Sequence, residues 1–194
     1  MFDGNLGTWN GKPYDIKHKP DAEPYHEKPF SVPLIHELKF IQEHDRLKAI
    51  YIIKKCSRSQ WVAPKLLIPN KDITVHFISD FIELNKFILR QLYLIPKIQD
   101  LLLRLEGFRY GTILYLIMGY CHNEMSAKSK ELCKFFTEWG KYEYQQLFMG
   151  LCNSPDIFQE KMSEIFVVLY TVCVYIDELL HVTKGSYTEH LTVH

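Results

Sequence analysis

Two adjacent carboxylates, Asp177 and Glu178, interrupt an otherwise apolar stretch of this 194-residue chain. A largely apolar run over residues 165–176 precedes them, and two leucines follow directly. Because ionised side chains are rarely buried without a partner or a metal ion, the pair is a candidate for binding a cation. Taken alone, the same residues favour a blander interpretation, a solvated hairpin turn.

The elements around the acid pair predict how it is positioned. Residues 171–176 and 179–183 are two short β-rich runs, so the carboxylates are expected at or beside the tip of a hairpin. Upstream, Ser154 as N-cap, Pro155 in the first turn and Asp156 near the positive end of the helix dipole predict a helix start. The buried face of that helix is expected to carry Phe158, Met162, Ile165, Phe166 and Leu169.

The rest of the chain predicts a mixture of helices and hairpins. Pro33 opens a helix over about 33–50 with a loose apolar stripe of Leu34, Leu38, Ile41 and Leu47. Residues 66–68 and 75–78 form a predicted hairpin, 96–107 a helix that Gly107 ends, 112–117 a buried strand and 139–147 a turn followed by an alternating strand. The pattern indicates an α+β fold.

Composition restricts the classes of protein. Lysine plus arginine equals aspartate plus glutamate, 23 of each, which argues against a free-standing nucleic-acid-binding protein but leaves room for a basic groove. The five scattered cysteines indicate reduced thiols rather than a zinc site or disulfide framework. The longest apolar run, about a dozen residues, is too short to cross a bilayer, and the N-terminus lacks a secretory signal. We therefore expect an intracellular protein, cytoplasmic or nuclear, with no membrane partner.

Three segments together resemble the reverse transcriptase of gypsy-like LTR retrotransposons. They are SQWVAPKLLIPNKDITVHFISDFIELN (59–85), EWGKYEYQQLFMGLCNSPDIFQEKM (138–162) and VYIDELL (174–180). Their order and spacing match the family, and the resemblance covers about residues 7–194. It implies a right-hand polymerase whose antiparallel palm sheet carries flanking helices.

The resemblance also implies a domain organisation. Residues 1–32 would be an extended leader, 33–90 and 125–148 the fingers, and 91–124 and 149–194 an incomplete palm. The thumb, RNase H and integrase regions of the polyprotein are expected to be absent from this chain, which makes it a truncated form of the family.

The chemistry that the resemblance implies is RNA-directed DNA synthesis by two metal ions. Mg²⁺ or Mn²⁺ would act on a template–primer of RNA or DNA and an incoming dNTP. Three carboxylates normally hold the metal pair, and two of their positions fall on Asp177 and Glu178. Two divalent ions close together repel each other and need anionic ligands between them.

This chain departs from the family pattern at functional positions. The first catalytic aspartate aligns with Tyr115, whose neutral phenol cannot bridge two Mg²⁺ ions, and Glu178 replaces an aspartate. One arginine that contacts the nucleotide phosphates appears as His76. Two family glycines appear as Ile73 and Tyr51. These changes predict a degenerate enzyme with weakened metal binding and impaired catalysis.

Other family positions are retained. Tyr120 aligns with the residue that contacts the sugar ring, Met149 and Gly150 with the floor of the nucleotide pocket, and Lys71 with a loop near the triphosphate. Asp80 aligns with a template-side aspartate. Each has a bland alternative: a buried aromatic for Tyr120, packing and turn residues for Met149 and Gly150, and a polar turn for Lys71.

Three functions remain open from the sequence. The first is an impaired reverse transcriptase domain. The second is a module that binds nucleic acid without chemistry, and the third is a translated remnant without a selected role.

Overall fold

The computed structural model describes residues 6–7, 9–28, 32–57, 59–69, 75–103 and 105–192. Within them the chain forms two compact units, described separately below. The first spans Met1–Arg90 and Tyr120–Ser154, and the second spans Gln91–Gly119 and Pro155–His194. The assignment of fingers, palm and leader to particular ranges stays a prediction.

The first unit combines a three-stranded antiparallel sheet with a separate hairpin. The sheet has the order β1-β6-β5, and the hairpin pairs β2 with β3, as the sequence predicted. Its elements are α1 (Leu34–Ala49), β1 (Ile53–Cys56), β2 (Lys65–Pro69), β3 (Val75–Ser79), α2 (Ile82–Phe87), α4 (Ala127–Leu132), β5 (Lys134–Thr137) and β6 (Gly140–Tyr144).

Helix α1 confirms the predicted helix but only part of its predicted apolar stripe. Its buried residues are Phe40, His44 and Leu47, whereas Leu34 and Leu38 are exposed. The reason is aromatic packing from a distant segment: the His44 ring lies edge-on to Tyr142, with ring centroids 4.5 Å apart. Helical spacing alone does not reveal contacts with residues that are distant in the sequence.

The turn after α1 retains the backbone conformation that a glycine would favour. Tyr51 has a φ of 58°, in the left-handed region where a Cβ is disfavoured. Its side chain is exposed. The second glycine replacement, Ile73, lies outside the described residues.

The core of the first unit is aromatic and encloses a lysine. Phe135 and Tyr144 lie with ring centroids 4.9 Å apart. Lys65 is buried beside them, and its Nζ donates to the Tyr144 hydroxyl at 2.9 Å and to Ser79 Oγ at 3.1 Å. Burial lowers the pKa of Lys65 well below its ordinary value.

The N-terminal segment is irregular and packs against other elements of the first unit. Tyr14 forms a parallel bridge with Met125, and the Ile16 amide donates to Ser129 Oγ at 2.7 Å. Ile16 itself is buried.

The second unit is built on a three-stranded antiparallel sheet of order β4-β8-β7. Helix α5 belongs to it from Pro155 onward. Its elements are α3 (Ile98–Leu103), β4 (Tyr110–Tyr115), α5 (Ser154–Phe166), β7 (Val172–Tyr175), β8 (Glu178–Thr183) and α6 (Tyr187–Leu191). The predicted helix start at Ser154 and the hairpin around the acid pair are confirmed.

Several burial predictions for the second unit are wrong. Strand β4 was expected to be buried, yet Ile113 and Leu114 are each more than half exposed. Within the apolar run 165–176, Val167, Val168 and Tyr170 are also exposed. A run of apolar residues predicts a surface that favours burial. Whether that surface is buried depends on which other segments pack against it, and the run itself does not show this.

Two details of helix α5 also differ from the expectation. Ser154 Oγ donates to the Phe148 carbonyl at 2.7 Å, and α5 begins at Ser154 itself. Of the predicted buried face, Phe158 and Met162 are buried, whereas Ile165 is exposed. Nowhere in the described part of the chain is a helix both long and apolar enough to span a bilayer.

Candidate active site

The acid pair lies at the tip of the β7–β8 hairpin. Asp177 occupies the turn and Glu178 begins β8, and both side chains are exposed. The turn residue Ile176 has a φ of 52°, which is unfavourable for a β-branched side chain. The two carboxylates therefore lie at a turn whose backbone conformation is strained. Other contacts in the second unit must stabilise that conformation.

Gln159 of helix α5 supplies that support. Its Oε1 accepts a hydrogen bond from the Ile176 amide at 2.7 Å, and its Nε2 donates to the Val174 carbonyl at 3.2 Å. Gln159 is buried, so removing it would leave backbone groups of the hairpin without these partners. The sequence alone does not single out Gln159, because a glutamine on a helix gives no local signal of a contact 17 residues away.

Strand β4 brings Tyr115 beside the acid pair. In the β4–β8 register the Cα partner of Tyr115 is Glu178, and the Leu116 amide donates to the Asp177 carbonyl at 2.8 Å. Tyr115 is 65% exposed. The register thus places the Tyr115 side chain on the same face of the sheet as that of Glu178, on the neighbouring strand.

The donor set limits which cations this site suits. Mg²⁺ retains several waters and commonly uses one or two carboxylates of the protein, so Asp177 and Glu178 fit one hydrated cation. Across the described residues, no group of three or more His, Cys, Asp or Glu side chains is arranged to hold a metal ion. Tyr115 adds no charge, so these residues do not fit a closely spaced pair of divalent ions.

The residues predicted to contact a nucleotide belong to the first unit. Met149 and Gly150 are exposed, and Tyr120 is half-buried in a short 3-10 turn over Gly119–His122. Lys71 lies outside the described residues, and so does the side chain of His76, whose backbone pairs with Ile68 in the β2–β3 hairpin.

Asn85 positions the loop that carries Gly150. Its Nδ2 donates to the Gly150 carbonyl at 2.8 Å, and its Oδ1 accepts from the Cys152 amide at 2.9 Å. Gly150 has a φ of 112°, and a Cβ there would lie 3.3 Å from the Ser79 carbonyl oxygen. The loop conformation therefore favours glycine at this position.

Asp80 has a local structural role. Its Oδ1 accepts from the Ile82 amide at 2.9 Å, at the start of helix α2, and its own amide donates to the Pro64 carbonyl. These bonds account for an aspartate without any nucleic acid, and the predicted template-side role stays a prediction.

Comparison with known proteins identifies relatives over most of the chain. It is 27% identical over 175 residues to the retrovirus-related Pol polyprotein from transposon 297 of Drosophila melanogaster, which covers 87% of this chain and 16% of the polyprotein. It is 34% identical over 132 residues to that from transposon opus of the same organism, covering 67% of this chain and 13% of the relative. The chain is a homologue of Pol polyproteins.

A viral relative and solved structures extend this finding. The enzymatic polyprotein of Cestrum yellow leaf curling virus is 29% identical over 170 residues, which is 84% of this chain and 26% of that protein. The prototype foamy virus protease–reverse transcriptase superposes with a TM-score of 0.86 at 20% identity, covering 98% of this chain and 26% of that one. The fold matches that of a reverse transcriptase domain.

The same fold is found in solved complexes with nucleic acid. The foamy viral protease–reverse transcriptase in complex with an RNA/DNA hybrid superposes with a TM-score of 0.87 at 18% identity, over 98% of this chain and 25% of that one. No family model matches the chain. The chain spans only 16% and 13% of the two Drosophila polyproteins above.

Proposed function

We propose that this chain is a reverse transcriptase domain of gypsy-like retrotransposon origin in which nucleotidyl transfer is impaired. The observation that carries the proposal is the β4–β8 register, which puts Tyr115 beside Glu178 where a further carboxylate would complete the ligand set. Homology to Pol polyproteins supports the origin.

The residues that remain would bind a single cation. Asp177 and Glu178 would hold one Mg²⁺ or Mn²⁺, which supplies Lewis-acid stabilisation of phosphate oxygens when bound. The retained Tyr120, Met149 and Gly150 would contact an incoming dNTP, together with Lys71 and His76, and Asp80 would lie near the template. Without a third carboxylate, we expect catalysis to be reduced by orders of magnitude.

Metal affinity tests the proposal directly. Tyr115→Asp adds a carboxylate beside Glu178 and should tighten Mn²⁺ binding, measured by calorimetry or Mn²⁺ spectroscopy, by at least about tenfold. The control is Tyr170→Asp, which makes the same substitution at an exposed position outside the β4–β8 register. Equal affinities in Tyr115→Asp and the wild type would show that Tyr115 does not occupy a ligand position.

Primer extension on an RNA template tests the impairment. The wild-type chain should extend a primer negligibly with either Mg²⁺ or Mn²⁺. Tyr115→Asp combined with Glu178→Asp, in a chain that also carries a thumb, should recover some extension. Robust extension by the wild type that is lost in Asp177→Ala would contradict the impairment while supporting the origin.

A second candidate function is binding of nucleic acid without chemistry. The observation in its favour is a concave surface of the first unit lined by Lys48, Lys54, Lys55 and Lys130, with Glu124 the acidic residue among them. Lys54 and Lys55 are exposed on β1. Clustered lysines attract phosphates without sequence preference.

A salt-dependent gel shift separates this candidate from a remnant with no role. The double variant Lys54→Glu, Lys55→Glu should abolish the gel shift. The control is Lys12→Glu, Lys28→Glu, which makes an equal change of charge at exposed residues outside this surface and should leave the shift in place. Absence of any shift by the wild type at low salt would reject nucleic-acid binding.

A further inference from the structure

We propose that Tyr51 is the base-stacking residue of a nucleotide site on the concave lysine surface of the first unit. The ligand class is an unpaired base with its phosphate, as a free nucleotide or at the unpaired end of a nucleic acid strand. The inference rests on the second candidate function above and adds a contact to the base that lysines do not provide. All residues of this surface belong to the first unit, whereas the acid pair belongs to the second.

The backbone around Tyr51 has a conformation that usually carries glycine. The Tyr51 amide donates to the Lys48 carbonyl at 3.1 Å, and the Ile52 amide donates to the Leu47 carbonyl at 2.9 Å. These two bonds form the motif that ends many helices with a left-handed residue, most often glycine. Tyr51 takes this position with a φ of 58°, so the local backbone disfavours the side chain that it carries.

Packing in the described structure does not account for the tyrosine either. Its side chain is 79% exposed, so its ring adds little to the core of the first unit. Residues held in unfavourable backbone conformations cluster at ligand-binding and active sites. An exposed aromatic ring offers a flat face on which any base can stack. The strained backbone and the exposed ring together point to a role of Tyr51 in binding.

The same surface has two lysines available for phosphate. Tyr51, Lys54 and Lys55 line one depression of about 540 Å³, within the range of about 300–1,000 Å³ that is typical of ligand sites. Both lysines are exposed on β1, and neither forms an ion pair among the described residues. Their ammonium groups are therefore available to donate to phosphate oxygens.

The other two lysines of this surface are already paired. Lys48 lies 3.2 Å from Asp45 and Lys130 lies 2.9 Å from Glu124, measured between the ammonium nitrogen and a carboxylate oxygen. These pairs neutralise two of the four positive charges. Lys54 and Lys55 therefore supply the net positive charge of the surface and are the expected phosphate contacts.

An amide at this surface is suited to contact the edge of the base. Gln146 lines the depression, and its Oε1 is buried with no hydrogen-bond partner in the described structure. An unpaired buried acceptor is unfavourable, and rotation of the side chain toward the depression would let the amide pair with a bound base. Glutamine amides form paired hydrogen bonds with adenine, so adenine nucleotides are the natural probes.

Binding of ATP at low salt in the presence of a chelator tests the proposal. The chelator removes any contribution from a metal ion at the acid pair, and calorimetry measures the affinity. The wild type should bind ATP more tightly than tripolyphosphate, which has the phosphates without the base. The double variant Lys54→Glu, Lys55→Glu should weaken the binding of both, because each ligand needs the ammonium groups.

The variant Tyr51→Gly removes the ring without harming the fold. Glycine suits a φ of 58°, so this variant should unfold at the same or a higher denaturant concentration than the wild type. Loss of stacking should weaken ATP binding at least about fivefold and leave tripolyphosphate binding unchanged, whereas Tyr51→Trp should retain ATP binding. Tyr170→Gly is the control, since Tyr170 is 98% exposed and lies outside this surface. Equal ATP affinities in Tyr51→Gly and the wild type would overturn the proposal.

A short single-stranded oligoadenylate distinguishes the two sources of the ligand. Binding of ATP that Tyr51→Gly weakens assigns the site to a free nucleotide, and binding of the oligoadenylate alone, with the same loss, assigns it to a strand. A wild type that binds neither, or that binds ATP no more tightly than tripolyphosphate, would overturn the inference. A gel shift that the double lysine variant abolishes and Tyr51→Gly leaves unchanged would reject the inference and retain the second candidate function.

Discussion

The two units of the chain bury their apolar residues to very different extents. Of the 25 apolar residues that are buried in the described part of the chain, 20 belong to the first unit and five to the second. Of the 23 large apolar residues that are exposed there, 16 belong to the second unit, which spans residues 91–119 and 155–194, 69 in all. The unit that carries the acid pair therefore has the smaller apolar core.

The contacts that stabilise the two units differ accordingly. The first unit has an aromatic cluster in which the rings of Tyr144 and Phe148 stack with centroids 3.8 Å apart. The second unit relies more on specific polar contacts, such as Gln159 on the hairpin and His190 on the sheet. A unit of that kind is sensitive to single polar substitutions and has apolar surface available for a partner.

The first prediction, with the largest expected effect, tests the difference between the apolar cores of the two units by removing an aromatic side chain from the core of the first unit. Phe135 is fully buried, so Phe135→Ala should cost roughly 3–5 kcal/mol in the free energy of unfolding, measured with chemical denaturant. Phe108→Ala makes the same substitution at an exposed site of the second unit and should cost less than about 1 kcal/mol. A comparable loss from Phe108→Ala would mean that the second unit buries this surface in solution, and the comparison would fail.

The second prediction concerns Lys65, which the first core contains although lysine is seldom buried. Lys65→Met keeps the volume similar and leaves the 3.0 Å contact between Ser79 Oγ and the Tyr144 hydroxyl in place. We expect it to stabilise the protein at neutral pH by up to roughly 1–4 kcal/mol, the range for buried ion pairs that are replaced by apolar residues of similar volume. Destabilisation by Lys65→Met would show that the lysine contributes favourably.

The lowered pKa of Lys65 also predicts how the stability of the protein changes with pH. Burial lowers the pKa of Lys65 in the folded state, so between that value and the ordinary lysine pKa of about 10.4 the unfolded chain binds more protons. Stability should therefore rise with pH through this window and lose that slope in Lys65→Met. Burial raises the pKa of Tyr144, which opposes the rise above about pH 10, where the unfolded tyrosine ionises.

The third prediction breaks the support of the acid pair. Gln159→Ala leaves the Ile176 amide and the Val174 carbonyl without their side-chain partners, which should cost about 1–3 kcal/mol. Amide exchange at Ile176 should accelerate, while the exposed Gln99→Ala, in the same unit, changes neither quantity. Unchanged exchange in Gln159→Ala would show that the turn is rigid without the glutamine.

Local structure was largely predictable from sequence, because turn residues and β-rich runs act locally. The hairpin at 65–79, the helix that begins near Pro155 and the hairpin around Asp177 were all predicted, and they are present. Burial was not predictable in the second unit, where β4 has the apolar residues of a core strand and the exposure of an edge.

Some residues of the candidate site could be identified from the sequence, whereas others could not. Asp177 and Glu178 stood out by composition, and the significance of Tyr115 came from resemblance to a family. Gln159 and Asn85 gave no signal, because each acts through backbone groups distant in sequence. Their polar side chains are ordinary on a helix, and only the three-dimensional structure shows what they contact.

The smallest predicted effect concerns how helix α6 docks on the second sheet. His190 lies between Thr112 Oγ1 at 2.8 Å and Thr183 Oγ1 at 2.9 Å, and its ring stacks on His181 with centroids 4.5 Å apart. Burial, with His190 adding to the effect, lowers the pKa of His181.

Below the ordinary histidine pKa of about 6.5 the unfolded chain therefore binds more protons, so stability falls as the pH decreases through that region. We expect a loss below about 1 kcal/mol, seen as lower protection factors of the α6 amides at acidic pH, where each exchange rate is compared with the intrinsic rate at the same pH. His181→Phe keeps an aromatic ring against His190 and should remove the dependence, whereas the exposed His18→Phe should keep it. If the protection factors of the α6 amides are equal at both pH values in the wild type, the docking of this helix does not depend on the protonation of His181.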